Sequence, residues 1–442
     1  MKIALISEHA SPLAVAGGVD SGGQNIYVAN VARQLVEMGH QVDVFTRRDR
    51  ALLPLSVEMD GARVIHVPAG PPKQLPKEQL LPFMDEFAAF LIEFFRREPQ
   101  PYDVMHANFF MSGLAALKVK AALGVPLVTT FHALGRVRRI HQGENDGFPD
   151  ARFAIEDELV AHSDLVVAEC PQDHADLLEH YRADAARIRI VPCGFDADEF
   201  RPVERGAARD ALGWPRDEFI VLQLGRLVRR KGIDNVVRGV GVLKQTFHAP
   251  ARLYVVGGNS DAPNELATPE IARLRAIASE CGVANETTFV GRRGRKRLRY
   301  FYSAADVFVT TPWYEPFGIT PVEAMACATP VIGADVGGIR YSVADGETGF
   351  LVPPHDPHAL AARLDQLRRD PALARRMGEA GLARARAEFT WRGVSDALAR
   401  LYAQAARLAP AKEPTGEATA AAAAEQAQAP RRAAGGTSSR WR

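Results

Sequence analysis

The chain has 442 residues, 47% hydrophobic and 24% charged, and its 54 Lys and Arg against 53 Asp and Glu leave a formal charge of +1. That length exceeds one hydrophobic core and predicts two domains of about 200 residues each. The near-neutral balance excludes a global role in binding nucleic acid, and no apolar run reaches the ~18 residues of a transmembrane helix.

Four scattered cysteines (Cys170, Cys193, Cys281 and Cys327) form neither a zinc pattern nor a disulfide framework. They are expected to be reduced, mostly buried thiols. The chain opens on the strand-like run MKIALIS with no signal-peptide core, so a cytoplasmic protein is expected.

Ile3 to Ile6 predict a buried strand over 2–7, followed by a glycine-rich loop over 17–25. Val28, Val31, Leu35 and Val36 predict a helix over 27–38, closed by Gly39, and 41–46 completes a β-α-β unit. Four glycines at a strand's C-terminal end sit where open α/β sheets bind ligands, yet no G-x-G-x-x-G is present for an ordinary dinucleotide. A strand over 63–68 and an amphipathic helix over 83–97 follow, with Phe87, Phe90, Leu91 and Phe94 as core residues. A strand ending at His106, a helix over 113–123 and a strand over 127–131 lead to His132. A lone histidine at a strand end is more often structural than catalytic.

Arg136, Arg138 and Arg139 then read either as solvated charges at a helix start or as a clamp for a phosphorylated acceptor, since arginine binds phosphate bidentately. Helices over 153–163 and 171–181 flank a strand over 165–167, and 188–191 is the last strand before a turn-rich linker over 192–202.

A strand over 219–224 ends at Gly225-Arg226, and Arg229-Arg230-Lys231-Gly232 opens the next helix. Cations between a strand end and a helix N-terminus suit a diphosphate. Solvated charge is a fair reading of Arg229 and Arg230, less so of Arg226 and Lys231. Strands over 253–256 and 289–291 follow, the first ending in Gly257-Gly258, and the basic run 292–299 reads as a solvated helix face.

The stretch 306–354 carries the strongest signal: strand, aromatic-rich loop 311–318, helix, strand, then the glycine turn 335–338. Thr320-Pro321-Val322-Glu323 reads as a helix start with Thr320 at the cap. Gly318 would admit a phosphate to that helix end, with Glu315 and Glu323 bracketing it. Glu323 is equally explained as a capping-box residue or a ligand contact. One helix over 358–387 and a last helix ending near 408 complete the fold, and the Ala/Pro/Gln-rich remainder is expected to be disordered.

E-P-F-G-I-T-P-V-E-A-M-A, with T-P-V-I and G-G beyond it, resembles the signature of family-4 retaining glycosyltransferases. D-S-G-G-Q-N-x-Y-V with A-R-x-L-x-x-x-G-H resembles the N-terminal loop of sucrose-phosphate synthases and bacterial inositol-phosphate glycosyltransferases. T-F-H-x-L-G-R and G-R-L-x-x-x-K-G resemble two further segments of the family. The resemblance implies an α/β GT-B fold, two doubly wound Rossmann-like domains facing across a cleft. Residues 1–200 would form the acceptor-side domain, 201–388 the nucleotide-sugar domain, 389–408 a helix returning to the first, and 409–442 a tail.

It further implies that Arg226 and Lys231 hold the donor's diphosphate, Glu315 the sugar hydroxyls and Glu323 the ribose, with His132 bordering the transferred sugar. Gly23, Phe317, Gly318, Ile319 and Thr320 would complete the donor site, Gly291 and Arg292 would flank the base, and Gln24, Arg136 and Arg139 would meet the acceptor. The expected donor is UDP-glucose and the expected acceptor a hydroxyl, with that of a phosphorylated sugar or polyol as a candidate. GDP-mannose, or a nucleotide-sugar epimerase or hydrolase of the same architecture, is the alternative. No D-x-D motif stands in a convincing context, so no metal or other cofactor is expected to be essential.

Overall fold

The structure is a computed structural model, and it describes residues 1–14 and 22–408. Residues 15–21 and 409–442, with the expectations placed on them, lie outside the described residues.

The first half builds an eight-stranded sheet from short apolar runs: β1 (Lys2–Ile6), β2 (Gln41–Arg47), β3 (Ser56–Met59), β4 (Ala62–Val67), β5 (Val104–Asn108), β6 (Leu127–Thr130), β7 (Leu165–Ala168) and β8 (Ile188–Ile190). Their order is β3-β4-β2-β1-β5-β6-β7-β8, and every pairing is parallel except that of β3 with β4. A parallel sheet must be covered on both faces, which is why β1 and β5 are buried along their whole length. The connecting helices are α1 (Gly23–Glu37), α2 (Met84–Arg97), α3 (Phe110–Leu123), α4 (Gly135–Gln142), α5 (Ala151–His162) and α6 (Pro171–Tyr181).

The second half repeats the plan after α7 (Arg205–Leu212). A six-stranded, wholly parallel sheet is ordered β11-β10-β9-β12-β13-β14, from β9 (Ile220–Leu224), β10 (Arg252–Val256), β11 (Thr287–Gly291), β12 (Val307–Thr310), β13 (Val331–Ala334) and β14 (Gly349–Val352). Around it lie α8 (Ile233–Thr246), α9 (Glu270–Glu280), α10 (Arg295–Ala304), α11 (Ile319–Ala326), α12 (Gly337–Ser342), α13 (Pro357–Arg369) and α14 (Pro371–Glu388), before α15 (Trp391–Leu408).

Three expectations are corrected. The single helix over 358–387 is two, because Pro371 cannot continue α13 and the Asp370 carboxylate instead caps the Leu373 N–H at 2.9 Å. The helix predicted from Tyr27 begins at Gly23, where the Asn25 side chain accepts the Gly22 N–H at 2.9 Å. The basic run 292–299 is not simply a solvated face: α10 buries Leu298, Phe301 and Tyr302 and sends Arg295 inward. Helices α7, α9 and α12 were not anticipated.

The last helix packs on the first half. The Trp391 ring lies edge-on to Tyr27, centroids 5.7 Å apart, and the Tyr402 hydroxyl lies 2.6 Å from His106 Nδ1 on β5. The two passages that connect the halves are pinned together: the Phe195 N–H donates to the Phe389 carbonyl at 2.8 Å and the Trp391 N–H to that of Phe195 at 3.2 Å.

Candidate active site

The parallel strands of each sheet reverse their order once, between β1 and β5 in the first and between β9 and β12 in the second. Loops leaving the C-terminal ends of strands part at such a point and leave a crevice there. Both crevices open on one cleft of about 500 Å³, which Gly22 to Ile26 and Phe109 line from one side and Gly225, Arg226 and Thr310 from the other.

On the second-half wall, Arg226, Arg230, Lys231 and Glu315 converge on the cleft. The Lys231 ammonium donates to Glu315 Oε2, and Arg230 Nη1 stands 3.9 Å from the same oxygen. Gly232, at φ 62°, makes this possible, because a Cβ there would stand 1.8 Å from the Thr311 carbonyl oxygen. Burial pushes the Lys231 ammonium down to about 8, although Glu315 pulls the other way. Burial likewise pushes Glu315 upward, but Lys231, Arg230 and Arg226 outweigh it and hold the carboxyl below its usual range.

A pH dependence follows. A diphosphate held at Lys231 would bind its charged form, which already prevails below pH 8; above it, binding would have to recruit a proton. Nucleotide diphosphate affinity is therefore expected to weaken by up to about tenfold per pH unit above 8, with proton uptake visible in buffers of different ionisation heat. Affinity flat to pH 9.5 would contradict this.

Helix α11 starts two residues earlier than its sequence suggests. Gly318 caps it at φ 87°, and Thr320 lies inside its first turn with no capping bond. The capping-box reading of Glu323 is thereby removed. Its carboxylate is buried and accepts from Arg295 Nη1 at 3.0 Å and from the Tyr302 hydroxyl at 2.9 Å. Burial raises its pKa against the pull of Arg295. Arg295 also donates through Nε to Glu199 at 2.9 Å, while its Nη2 is buried with no hydrogen-bond partner among the described residues. Phe317, Gly318, Ile319, Thr320, Glu323 and Arg292 all line the cleft. Gly291 does not: at φ 86° it ends β11, and its carbonyl accepts the Gly257 N–H at 3.0 Å.

On the first-half wall, His132 lies at the end of β6 with φ 56°, a conformation rare for a side-chain-bearing residue and held here by its partners. Nδ1 is 2.8 Å from Glu169 Oε1 and Nε2 3.0 Å from Asn108 Oδ1. Gly23 and Gln24 line the same wall, and Gln24 Nε2 donates to the Asn108 carbonyl at 3.0 Å.

The arginine clamp is corrected. Arg136 forms a two-point pair with Asp157 at 2.6 and 2.8 Å, under the Tyr181 ring, and Arg139 pairs with Asp150 at 2.9 Å; neither lines the cleft. Arg138 does line the cleft, with its Nε donating to the buried Asp146 carboxylate at 2.6 Å, and Lys77, from a 3-10 turn far away in sequence, lines it too. Arg136→Ala is therefore expected to leave the acceptor KM unchanged, whereas Arg138→Ala raises it about tenfold, as loss of one charged contact does. Acceptor saturation curves for both variants check this.

Sequence reasoning thus found most of the second-half wall and missed Arg230, Arg295, Asn108, Glu169 and Lys77. Two doubly wound sheets sharing a cleft, with cations and a helix N-terminus on one wall, suit a substrate that carries a diphosphate.

Comparisons sharpen the class. Residues 21–199 match the family described as Glycosyltransferase Family 4, and residues 204–384 that described as Glycosyl transferases group 1. The D-inositol 3-phosphate glycosyltransferase of Acidothermus cellulolyticus is 38% identical over 91% of this chain and 90% of its own, and one from Catenulispora acidiphila is 38% identical over 91% and 96%. The sucrose-phosphate synthase of Thermosynechococcus elongatus superposes with a TM-score of 0.83 at 35% identity, covering 91% of this chain and 98% of that one. The chain belongs to the family-4 glycosyltransferases of the GT-B fold, and it uses a nucleotide sugar.

Proposed function

We propose that this enzyme transfers a glucosyl group, with retention at the anomeric carbon, from UDP-glucose to a hydroxyl of a small phosphorylated acceptor. The observation that carries the reading is a cleft with cations on both walls, Arg226, Arg230 and Lys231 opposite Lys77 and Arg138. One set matches a donor diphosphate and the other a second anionic substrate. The names of the relatives support the second point, since both inositol 3-phosphate glycosyltransferase and sucrose-phosphate synthase point to phosphorylated small molecules. Anabaena HepE, which shares only the fold at 21% identity and a TM-score of 0.70, was solved with UDP-glucose.

In this reading, the sugar–phosphate bond lengthens, positive charge grows on the anomeric carbon and negative charge on the departing diphosphate. Arg226, Lys231 and the N–H groups at the start of α11 stabilise that leaving group without reorganising. Glu315, positioned by Lys231, meets the sugar hydroxyls, and Glu323 with Arg295 meets the ribose. Side chains supply the neutralising charge, so turnover is expected to persist in EDTA. Loss of activity restored by Mg²⁺ would contradict that part.

The test is UDP release from UDP-glucose with inositol phosphates, hexose phosphates and their unphosphorylated counterparts. Release dependent on a phosphorylated acceptor supports the proposal. Equal release without acceptor would indicate a hydrolase, and turnover of GDP-mannose alone would move the reading to a mannosyl donor.

A further inference from the structure

Tyr314, Glu315 and Pro316 line not only the cleft but also a second cavity, of about 270 Å³, which Leu134, Val137 and Arg340 line with them. A loop bordered by two cavities is not fixed by close packing, so its specific contacts decide where it lies. Those contacts come from both halves of the chain. From the second, the Gly338 N–H donates to the Glu315 carbonyl at 3.0 Å. From the first, the Cys170 thiol donates to the Pro316 carbonyl at 3.3 Å, and the last turn of α4 holds Tyr314. Gln142 Nε2 donates to the Tyr314 hydroxyl at 2.6 Å, and the His141 ring stacks on the Tyr314 ring, centroids 5.0 Å apart and planes inclined by 13°. Tyr314 is 6% exposed, and neither His141 nor Gln142 lines the cleft.

The same ring reaches the second-half wall of the cleft. The Arg230 guanidinium lies over it, 5.5 Å from the centroid, and the Trp313 N–H donates to the Arg230 carbonyl at 2.9 Å. Little else holds that guanidinium. Its Nη1 is buried without a hydrogen-bond partner among the described residues and stands 3.9 Å from Glu315 Oε2. A planar guanidinium stacked on an aromatic ring takes its orientation from the ring. Tyr314 therefore constrains where Arg230 presents its charge.

We propose, on the reading that Arg226, Arg230 and Lys231 hold a diphosphate, that Tyr314 is a positioning residue: through it, α4 of the first half sets Arg230 in the donor site of the second. Two side chains outside the cleft then govern a cation inside it, and the donor site is complete only with α4 in place.

The test is a double-mutant cycle on UDP affinity, measured by calorimetry, with a thermal melt of each variant. H141A/Q142A alters no cleft-lining side chain, yet it is expected to weaken UDP binding about tenfold, the scale of one ring stack and one hydrogen bond. R230A is expected to weaken it about tenfold through loss of a charged contact. Added to R230A, the helix substitutions are expected to cost less than about a further twofold, because the cation they position is gone. Y314F keeps the ring and removes only the hydroxyl's bond. Its expected loss of about threefold, again absent in the R230A background, gives the same answer if the helix variant does not fold. A contact that is merely structural gives losses that multiply, so a further tenfold loss in the R230A background overturns the proposal. Wild-type affinity in both H141A/Q142A and Y314F overturns it too. Wild-type affinity in R230A would take Arg230 out of the diphosphate site and overturn the proposal alone, leaving the donor reading to Arg226 and Lys231. Failure of the unaltered enzyme to bind UDP would overturn both.

Discussion

Replacing Lys231 by alanine is expected to lower kcat/KM about 10³-fold, the scale of removing a preorganised charge from a water-poor site. The side chain holds two positions at once. Its ammonium faces the cleft beside Arg226 and Arg230, and it donates to Glu315, which it helps to keep ionised. Alanine removes a cation from the leaving group's path and also leaves Glu315 to Arg230 at 3.9 Å and to the charge of Arg226. Lys231→Arg keeps the charge but has a planar fork where a point charge fits, so only partial recovery is expected. Steady-state kinetics with thermal melts measure this, and a Lys231→Ala enzyme within tenfold of wild type would contradict it.

The second large effect lies in a glycine. At Gly338 in α12, a Cβ would stand 2.3 Å from Phe317 Cα and 2.4 Å from the Phe317 carbonyl oxygen. Both are backbone atoms, so no rotamer change relieves the clash. The Gly338 N–H also donates to the Glu315 carbonyl at 3.0 Å, which ties α12 to the loop carrying that carboxylate. Gly338→Ala must therefore displace the 315–317 loop or α12. A loss of about 3 kcal/mol or more is expected, together with loss of nucleotide binding. Gly294→Ala is the control, because a Cβ there meets open space and the backbone is extended at φ −67°, ψ 144°. Denaturant unfolding of the two variants compares them, and equal midpoints would contradict the argument.

What could be read from the sequence followed physical signal strength. Buried parallel strands are short apolar runs, so β1, β2, β9 and β12 stood out within a residue or two of their ends. The loop from Trp313 to Gly318 stood out because aromatic residues, a glutamate and a glycine occur together where an ordinary connection would be polar. Thr320 misled for a specific reason: Thr-x-x-Glu mimics a capping box, while Gly318 at φ 87° starts the helix two residues earlier. The inward turn of Arg295 left no trace in a run of cations, since charge alone does not tell which face of α10 meets Glu199 and Glu323.

His132 shows the limit most clearly. Its partners lie 24 and 37 residues away, on the ends of two other strands. Only the order of strands in the sheet brings Asn108, His132 and Glu169 together. The clamp failed similarly, because Asp157 and Asp150 come from α5 and the turn before it and claim Arg136 and Arg139.

The most direct measurement is a calorimetric titration of the enzyme with UDP, GDP and ADP under one set of conditions. The account expects UDP to bind, GDP and ADP to bind at least about tenfold more weakly, and Lys231→Ala to lose most of the UDP affinity. Indifference to all three nucleotides, or UDP affinity unchanged in Lys231→Ala, would contradict the central claim that this cleft holds a uridine diphosphate through Arg226 and Lys231.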